Sequence, residues 1–496
     1  MTGNLTPTIG VIVNLSLISH TNAGKTTLAR TLLGRDVGEV RDAAHVTEVA
    51  SGHVMLQNGP DTLMLWDTPG FGDTMRLLKR LKLSDNPLGW LLTQGWDRFR
   101  ERPLWSSQQA VRNAREQSDV ILYLVNAAED PAGATYVLPE LEILAWIGKP
   151  VVLLLNQTGP PRADNVAEEE RWFTHLRLRQ PSVVRGALTL DAFARCWVQE
   201  VKLLERVASL LSPEKQPAMA GLVSAWEGQN LRRFHASMAL LRDEVAEALQ
   251  DLEKLEKLRA QDWQAKAGTV IRGLQGQENP EADRAMQRLA ERLEERAVTA
   301  TEALIREHGL SGKATVEVLR RLEKGVSTVA PANAGFAAVL GGLASGALGG
   351  VGADLVAGGL TLGSGMIVGG LLGALAAGAA ASGYNLVRGK DHAFVRWSDD
   401  FMQSLFRSVL LRYLAVAHFG RGRGDFEESE YPAHWGPLAD EVTDSLRRRL
   451  KVVWDQGRSG EAALAAESLT VCLTECAAVL LGRLYPEAGS LLSQEK

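Results

Sequence analysis

The stretch that most limits what this chain can fold into lies near its start: an apolar run over residues 9–18, then Ser19-His20-Thr21-Asn22-Ala23-Gly24-Lys25-Thr26-Thr27, then a helical pattern ended by Gly34. Strand, tight loop, helix is the setting of a phosphate-binding loop, in which backbone amides wrap a phosphate, a lysine reaches the β/γ-phosphates and a hydroxyl meets Mg²⁺. Gly24, Lys25 and Thr26 supply three parts of the pattern G-x-x-x-x-G-K-[ST] in order, and Ser19 stands where the first glycine belongs. A buried parallel strand is implied for 9–18 and a helix for 26–33.

Further along, two strand-like runs at 52–57 and 62–66 flank Asn58-Gly59-Pro60-Asp61, a hairpin signal. The second run ends in Asp67-Thr68-Pro69-Gly70, a carboxylate at a strand tip suited to a water-mediated Mg²⁺ contact, with a glycine amide three residues on. Lys25 to Thr47 spans 22 residues and Thr47 to Asp67 spans 20. Strands at 120–125 and 151–155 with a helix at 139–147 between them continue an α/β alternation.

These intervals, with Asn22-Ala23-Gly24-Lys25-Thr26 and Asp67-Thr68-Pro69-Gly70, resemble the Era-like branch of the TRAFAC GTPases over residues 9–211. The resemblance implies a mixed sheet flanked by helices, GTP and GDP as ligands, and hydrolysis of GTP to GDP and phosphate. It assigns the nucleotide to residues 22–27, with Lys25 on the β/γ-phosphates and Thr27 beside it. Mg²⁺ falls to Thr26, Asp67 and the switch threonine Thr47, and γ-phosphate sensing to the Gly70 amide. Phe71 occupies the place where Ras-like enzymes carry a water-orienting glutamine, so slow or stimulated hydrolysis is implied. Asn22 matches the loop asparagine that some relatives use to bind an activating K⁺, although such a residue can equally bond its own backbone.

The base-reading motif of the family departs here: Asn156 is kept, but Gln157 and Gly159 replace the stacking lysine and the guanine-binding aspartate. GTP is placed ahead of ATP on the resemblance alone. After an apolar run at 182–185, Gly186-Ala187-Leu188 looks like the family's last base loop, where the Ala187 amide meets the base carbonyl.

From Gly70 to Val120 the interval is 50 residues, long for this passage. They hold a basic amphipathic segment at 75–83 and Trp90, Trp96 and Trp105. An insert at about 74–118 could sit on a membrane or partner, or pack its tryptophans on the domain as a helical hairpin.

A helical region is expected over 212–330, with Leu241, Val245, Leu249, Leu252 and Leu255 at helical intervals and a turn at 276–280. Over 331–388 the composition turns to Gly, Ala, Leu and Val, and stretches 334–351 and 355–383 flank Asp354, the single charge between Lys324 and Arg388. Both reach the length that crosses a bilayer core. Glycines four apart, at 342, 346 and 350 and again at 365, 369 and 373, fit close helix packing in a hairpin at about 334–383, inserted in lipid or else buried in the protein. The flanking Arg320, Arg321, Lys324, Arg388 and Lys390 place both ends on the cytoplasmic face of the inner membrane. Helices are expected to resume over 389–496. The wider architecture resembles a family of bacterial Era-like GTPases with an uncharacterised helical domain and a glycine-rich hairpin.

A net charge of -5 gives no reason to expect nucleic acid as the main partner. Three scattered cysteines fit a reducing setting, and residues 1–7 lack the features of a cleaved export signal. A homo-oligomer or a partner protein remains open as the source of an activating group.

Overall fold

Runs such as Val120–Asn126 and Val151–Asn156 carry too little polar alternation to face water, and in the computed structural model they are neighbouring parallel strands buried on both faces. The structure describes residues 10–35, 37, 49–93, 101–157, 165–179, 183–190, 196–259, 280–310, 384–388, 392–419 and 434–486. Thr47, Trp96, Gly159, residues 276–279 and the glycine-rich stretches at 334–383 lie outside the described residues.

The chain divides into two units. One comprises Met1–Arg232 with Ala417–Asp425 and Gly482–Lys496, the other Arg233–Val416 with Phe426–Leu481.

In the first unit, β1 (Ile12–Ser19) is followed by α1 (Lys25–Leu33), β2 (Ser51–Asn58), β3 (Asp61–Asp67), α2 (Thr74–Leu81), α3 (Pro87–Thr93) and α4 (Arg102–Glu116). Then come β4 (Val120–Asn126), α5 (Val137–Ile147), β5 (Val151–Asn156), α6 (Asn165–Arg177), β6 (Val184–Thr189) and α7 (Trp197–Ala208). The strands form one sheet in the order β2-β3-β1-β4-β5-β6, parallel except where β2 runs against β3 through the hairpin. Parallel pairing sets the carboxyl ends of β1, β3, β4 and β5 along one rim, and ligands of open α/β sheets bind there.

At the opposite rim a polar clasp joins β1 to β4. Asp119 takes the Asn14 amide at 2.9 Å, and Lys215 donates to the Asp119 carboxylate at 2.7 Å and to the Ile12 carbonyl at 2.8 Å.

The described part of the insert packs on the domain mainly through leucines. Leu77, Leu78 and Leu81 of α2 and Leu91 of α3 join a core cluster with Leu141 and Leu144 of α5, and Trp90 lies against it. The basic residues Arg76 and Lys79 face solvent.

Helix α8 (Gln216–Gln250) contributes residues to each unit. The second unit adds β7 (Glu253–Arg259), α9 (Pro280–Glu307), β8 (Tyr384–Arg388), β9 (His392–Trp397), α10 (Asp399–Ala417), α11 (Trp435–Ser445), α12 (Arg447–Arg458) and α13 (Ala462–Leu484). It is mostly helical but not wholly so: β7, β9 and β8 form an antiparallel sheet, which corrects the helical expectation at 252–259 and 392–397. Leu252-Glu253-Lys254-Leu255 has a three-residue apolar spacing that suits either state. Pairing with β9, over a hundred residues away, decides it, and Arg288 and Arg292 of α9 hold Glu253 there while Arg292 and Arg296 hold Asp251.

Among the described residues one helix, α13, is long and apolar enough to cross a membrane. Leu469, Cys472, Leu473, Cys476 and Leu480 are buried in the protein, so the helix serves as a core element. Burial also pushes the Cys476 thiol up to about 12, as befits a packing residue.

Deep in the second unit Arg412 of α10 makes a two-pronged ion pair with Glu244 of α8, at 2.7 and 2.8 Å, and donates to Thr301 of α9 at 3.2 Å. Removing one partner leaves the other charge buried alone. Glu244→Ala is therefore expected to cost about 3–5 kcal/mol of unfolding free energy, and Glu244→Leu with Arg412→Met to recover most of it, as measured by denaturant titration.

Candidate nucleotide site

The loop between β1 and α1 closes over the carboxyl rim of the sheet. Asn22 and Gly24 take left-handed backbone, φ 65° and 87°, which turns the chain so that α1 begins at Lys25. The free amides of this first helical turn make a ready anion site. Lys25 is buried and donates to the Ser19 hydroxyl at 2.9 Å, so the residue that replaces the motif's first glycine holds the lysine. Burial pulls the Lys25 ammonium below the usual lysine range, and the charges of Asp67 and Glu140 act against that pull.

Thr26 donates to Asp67 Oδ2 at 2.7 Å, bringing the helix start and the tip of β3 together. A hydroxyl and a carboxylate, both hard oxygen donors beside the phosphate loop, fit Mg²⁺, which takes its remaining ligands from water and phosphate. No group of three or more His, Cys, Asp or Glu suited to a metal exists among the described residues. Of the proposed ligands, Thr26 and Asp67 are brought together, and Thr47 lies outside the described residues.

The segment after Asp67 is stitched to the loop. The Phe71 amide donates to the Ser19 carbonyl at 2.9 Å, and the Phe71 carbonyl accepts from the Thr21 amide at 3.1 Å and from its hydroxyl at 2.8 Å. Gly70 is thereby pressed against the loop: a methyl added there would stand 2.9 Å from Thr21 Cα and 3.0 Å from Lys25 Nζ. The Phe71 side chain points into the core and is fully buried, so it takes no part in orienting water.

At the base side, Asn156 donates to the Ala23 carbonyl at 2.9 Å, tying the end of β5 to the phosphate loop, and Gln157 adopts φ 60°. Ala23 and Thr27 are buried on either side of Lys25, and Asn22 is exposed. The placement of Ala187 in a loop is corrected. It lies within β6, paired with Leu153, because the strand runs on to Thr189 instead of ending at Arg185. Its amide belongs to the sheet.

Four residues at the site were not singled out by motif. His20 and Tyr123 donate to Glu140 at 2.6 and 2.7 Å, and the Thr74 hydroxyl, with one proton to share, stands 3.0 Å from both Glu140 Oε1 and the Gly72 carbonyl. A carboxylate only accepts, so His20 Nδ1 carries the proton. Burial, and after it the Glu140 charge, push the Tyr123 phenol well above its usual range and keep it a donor. The available signal was a pair of carboxylates, Glu140 and Glu142, within the otherwise apolar segment at 137–147. Beside this cluster a cleft of about 730 Å³ opens, lined by His20, Thr21, Asp73, Thr74 and Tyr136 among others.

Two family models match the chain. One, described as a 50S ribosome-binding GTPase, covers residues 14–157, and the other, described as a domain of unknown function (DUF3482), covers residues 184–469. The chain belongs to the DUF3482 family. Residues 14–157, with their Gly24-Lys25-Thr26 loop, are a P-loop GTPase domain. Similar solved structures include an Aquifex aeolicus Era variant bound to GDP and AlF4⁻, at 17% identity over 49% of this chain and 71% of that one, TM-score 0.29. Another is mGMPPNP-bound NFeoB from S. thermophilus, at 14% identity over 44% and 88%, TM-score 0.23.

Gly70→Ala is expected to slow single-turnover GTP hydrolysis about 100-fold by moving the sensing amide off the loop. Gly186→Ala, whose methyl meets only Arg206 at 3.5 Å, should leave the rate unchanged.

Proposed function

We propose that this protein is a membrane-associated GTPase whose switch movements act on a helical, lipid-anchored region at the cytoplasmic face of a bacterial inner membrane. The observation that carries the catalytic half is the convergence of Lys25, the Thr26–Asp67 pair and Gly70 on one point of the sheet rim. Lys25 neutralises the charge that develops on the β- and γ-phosphate oxygens as water displaces GDP, and the Gly70 amide donates to the γ-phosphate. Thr26 and Asp67, with Thr47, would hold Mg²⁺, which would supply further charge neutralisation. Ala23, Gly24 and Thr27 bind through their backbone, and Asn156 steadies the loop from the base side.

Because Phe71 is committed to the core, water must be oriented by another group. A K⁺ held by Asn22, self-association or a partner protein would supply it. The same observation favours a second reading, a low-turnover nucleotide-binding scaffold that waits for such a partner. The membrane half rests on the composition of residues 331–388, whose two apolar stretches and four-residue glycine spacing suit a packed hairpin in lipid. The domain division proposed with it is 1–211, 212–330, 331–388 and 389–496.

Mg²⁺-dependent GTP turnover is expected to vanish in Lys25→Ala, read as phosphate release. Wild-type protein no faster than that variant would refute the catalytic assignment. In flotation with lipid vesicles, the full chain should rise with the lipid and a chain deleted for residues 334–383 should not. Equal sedimentation of both would refute the anchor.

A further inference from the structure

Glu140 stands in the first turn of α5 with its side chain wholly buried. Burying a carboxylate is costly unless its lone pairs are used. Here they are, by donors from three separate places: His20 in the phosphate loop, Thr74 at the head of α2, and Tyr123 in β4. The α5 amino end adds favourable dipole.

The position of this charge is unexpected for a triphosphate site. It lies near enough to Lys25 to favour the ammonium, and by the same reach it repels an incoming polyanion. A neutral residue of similar size would fill the space without that repulsion. What the carboxylate contributes is visible in where its donors belong. His20 directly precedes Thr21, whose amide and hydroxyl bond the Phe71 carbonyl, and Thr74 follows Gly70 by four residues. One group therefore ties the loop on one side of the Ser19–Phe71–Thr21 stitch to the chain on the other. Gly72 is fixed between them, its amide donating to Ser107 at 3.0 Å.

We propose that Glu140 is a positioning residue: its carboxylate sets the separation of the phosphate loop and the 70–74 segment, so that the Gly70 amide is in place for the γ-phosphate, and it joins that segment's movement to α2 of the insert. Glu140 itself does not touch the nucleotide. The inference rests on the GTPase reading of the site, so its test carries a readout that does not need turnover.

The experiment compares the full chain with Glu140→Gln, Thr74→Val and the double variant. Amide hydrogen exchange over residues 71–77 should be about tenfold faster in both single variants. The kcat for GTP should fall about tenfold while KM moves less than about threefold, and the double variant should be no slower than Glu140→Gln alone, because the two groups act as one unit. Unchanged exchange and kcat in Glu140→Gln, or effects that simply add, would overturn the proposal. If Glu140→Gln does not fold, Thr74→Val, which loses one hydroxyl, decides by the same two readouts. Absence of turnover in the wild type would refute the catalytic assignment, and the exchange result would still decide whether the clamp exists.

Discussion

A lysine ammonium cannot be buried without compensation, and the nucleotide domain is arranged around that requirement. Lys25 must be sunk at the root of its loop to reach a phosphate, and the compensation comes from groups that only this topology assembles. The Ser19 hydroxyl sits at the end of β1, the Asp67 carboxylate at the tip of β3, and the Glu140 charge on α5 beyond β4. Strand order β3-β1-β4 is what brings the three within reach of one cation. The same crowding leaves no room for a side chain at Gly70.

Much of this was legible in the sequence because its signals are local. Continuous apolar runs gave β1, β4 and β5; Asn58-Gly59 gave the hairpin; Gly24-Lys25-Thr26 and Asp67 named two elements that do meet. What escaped was set by partners distant in the chain. The strand Glu253–Arg259 has an ambiguous period and is decided by β9 and by arginines of α9. Ala187 looked like a loop residue because the strand holding it begins late and carries a register shift at its start. Glu140 reads as a surface carboxylate on a helix, and nothing nearby in sequence reveals that a histidine, a threonine and a tyrosine from three other elements converge on it.

The fate of Phe71 shows how a departure from a motif can be structural and chemical together. Its backbone does the work of joining the loop to the segment after β3, with one amide and one carbonyl making three bonds. Its ring fills the core beneath α2 and α3, so the insert and the stitch share one residue. Side-chain chemistry at that position has been exchanged for anchorage.

The clasp of Lys215, Asp119, Asn14 and Ile12 holds the sheet at the rim opposite the phosphate loop. At the rim away from the nucleotide, β1, β4 and the start of α8 are bolted by charge-assisted bonds. At the nucleotide rim the strands are joined through the loop and its neighbours, by Thr26 on Asp67, Asn156 on the Ala23 carbonyl and the donors that meet Glu140. A disturbance at the phosphate loop is therefore handed to β3, β5 and α5 by side chains, while the strand ends behind it stay held by the clasp.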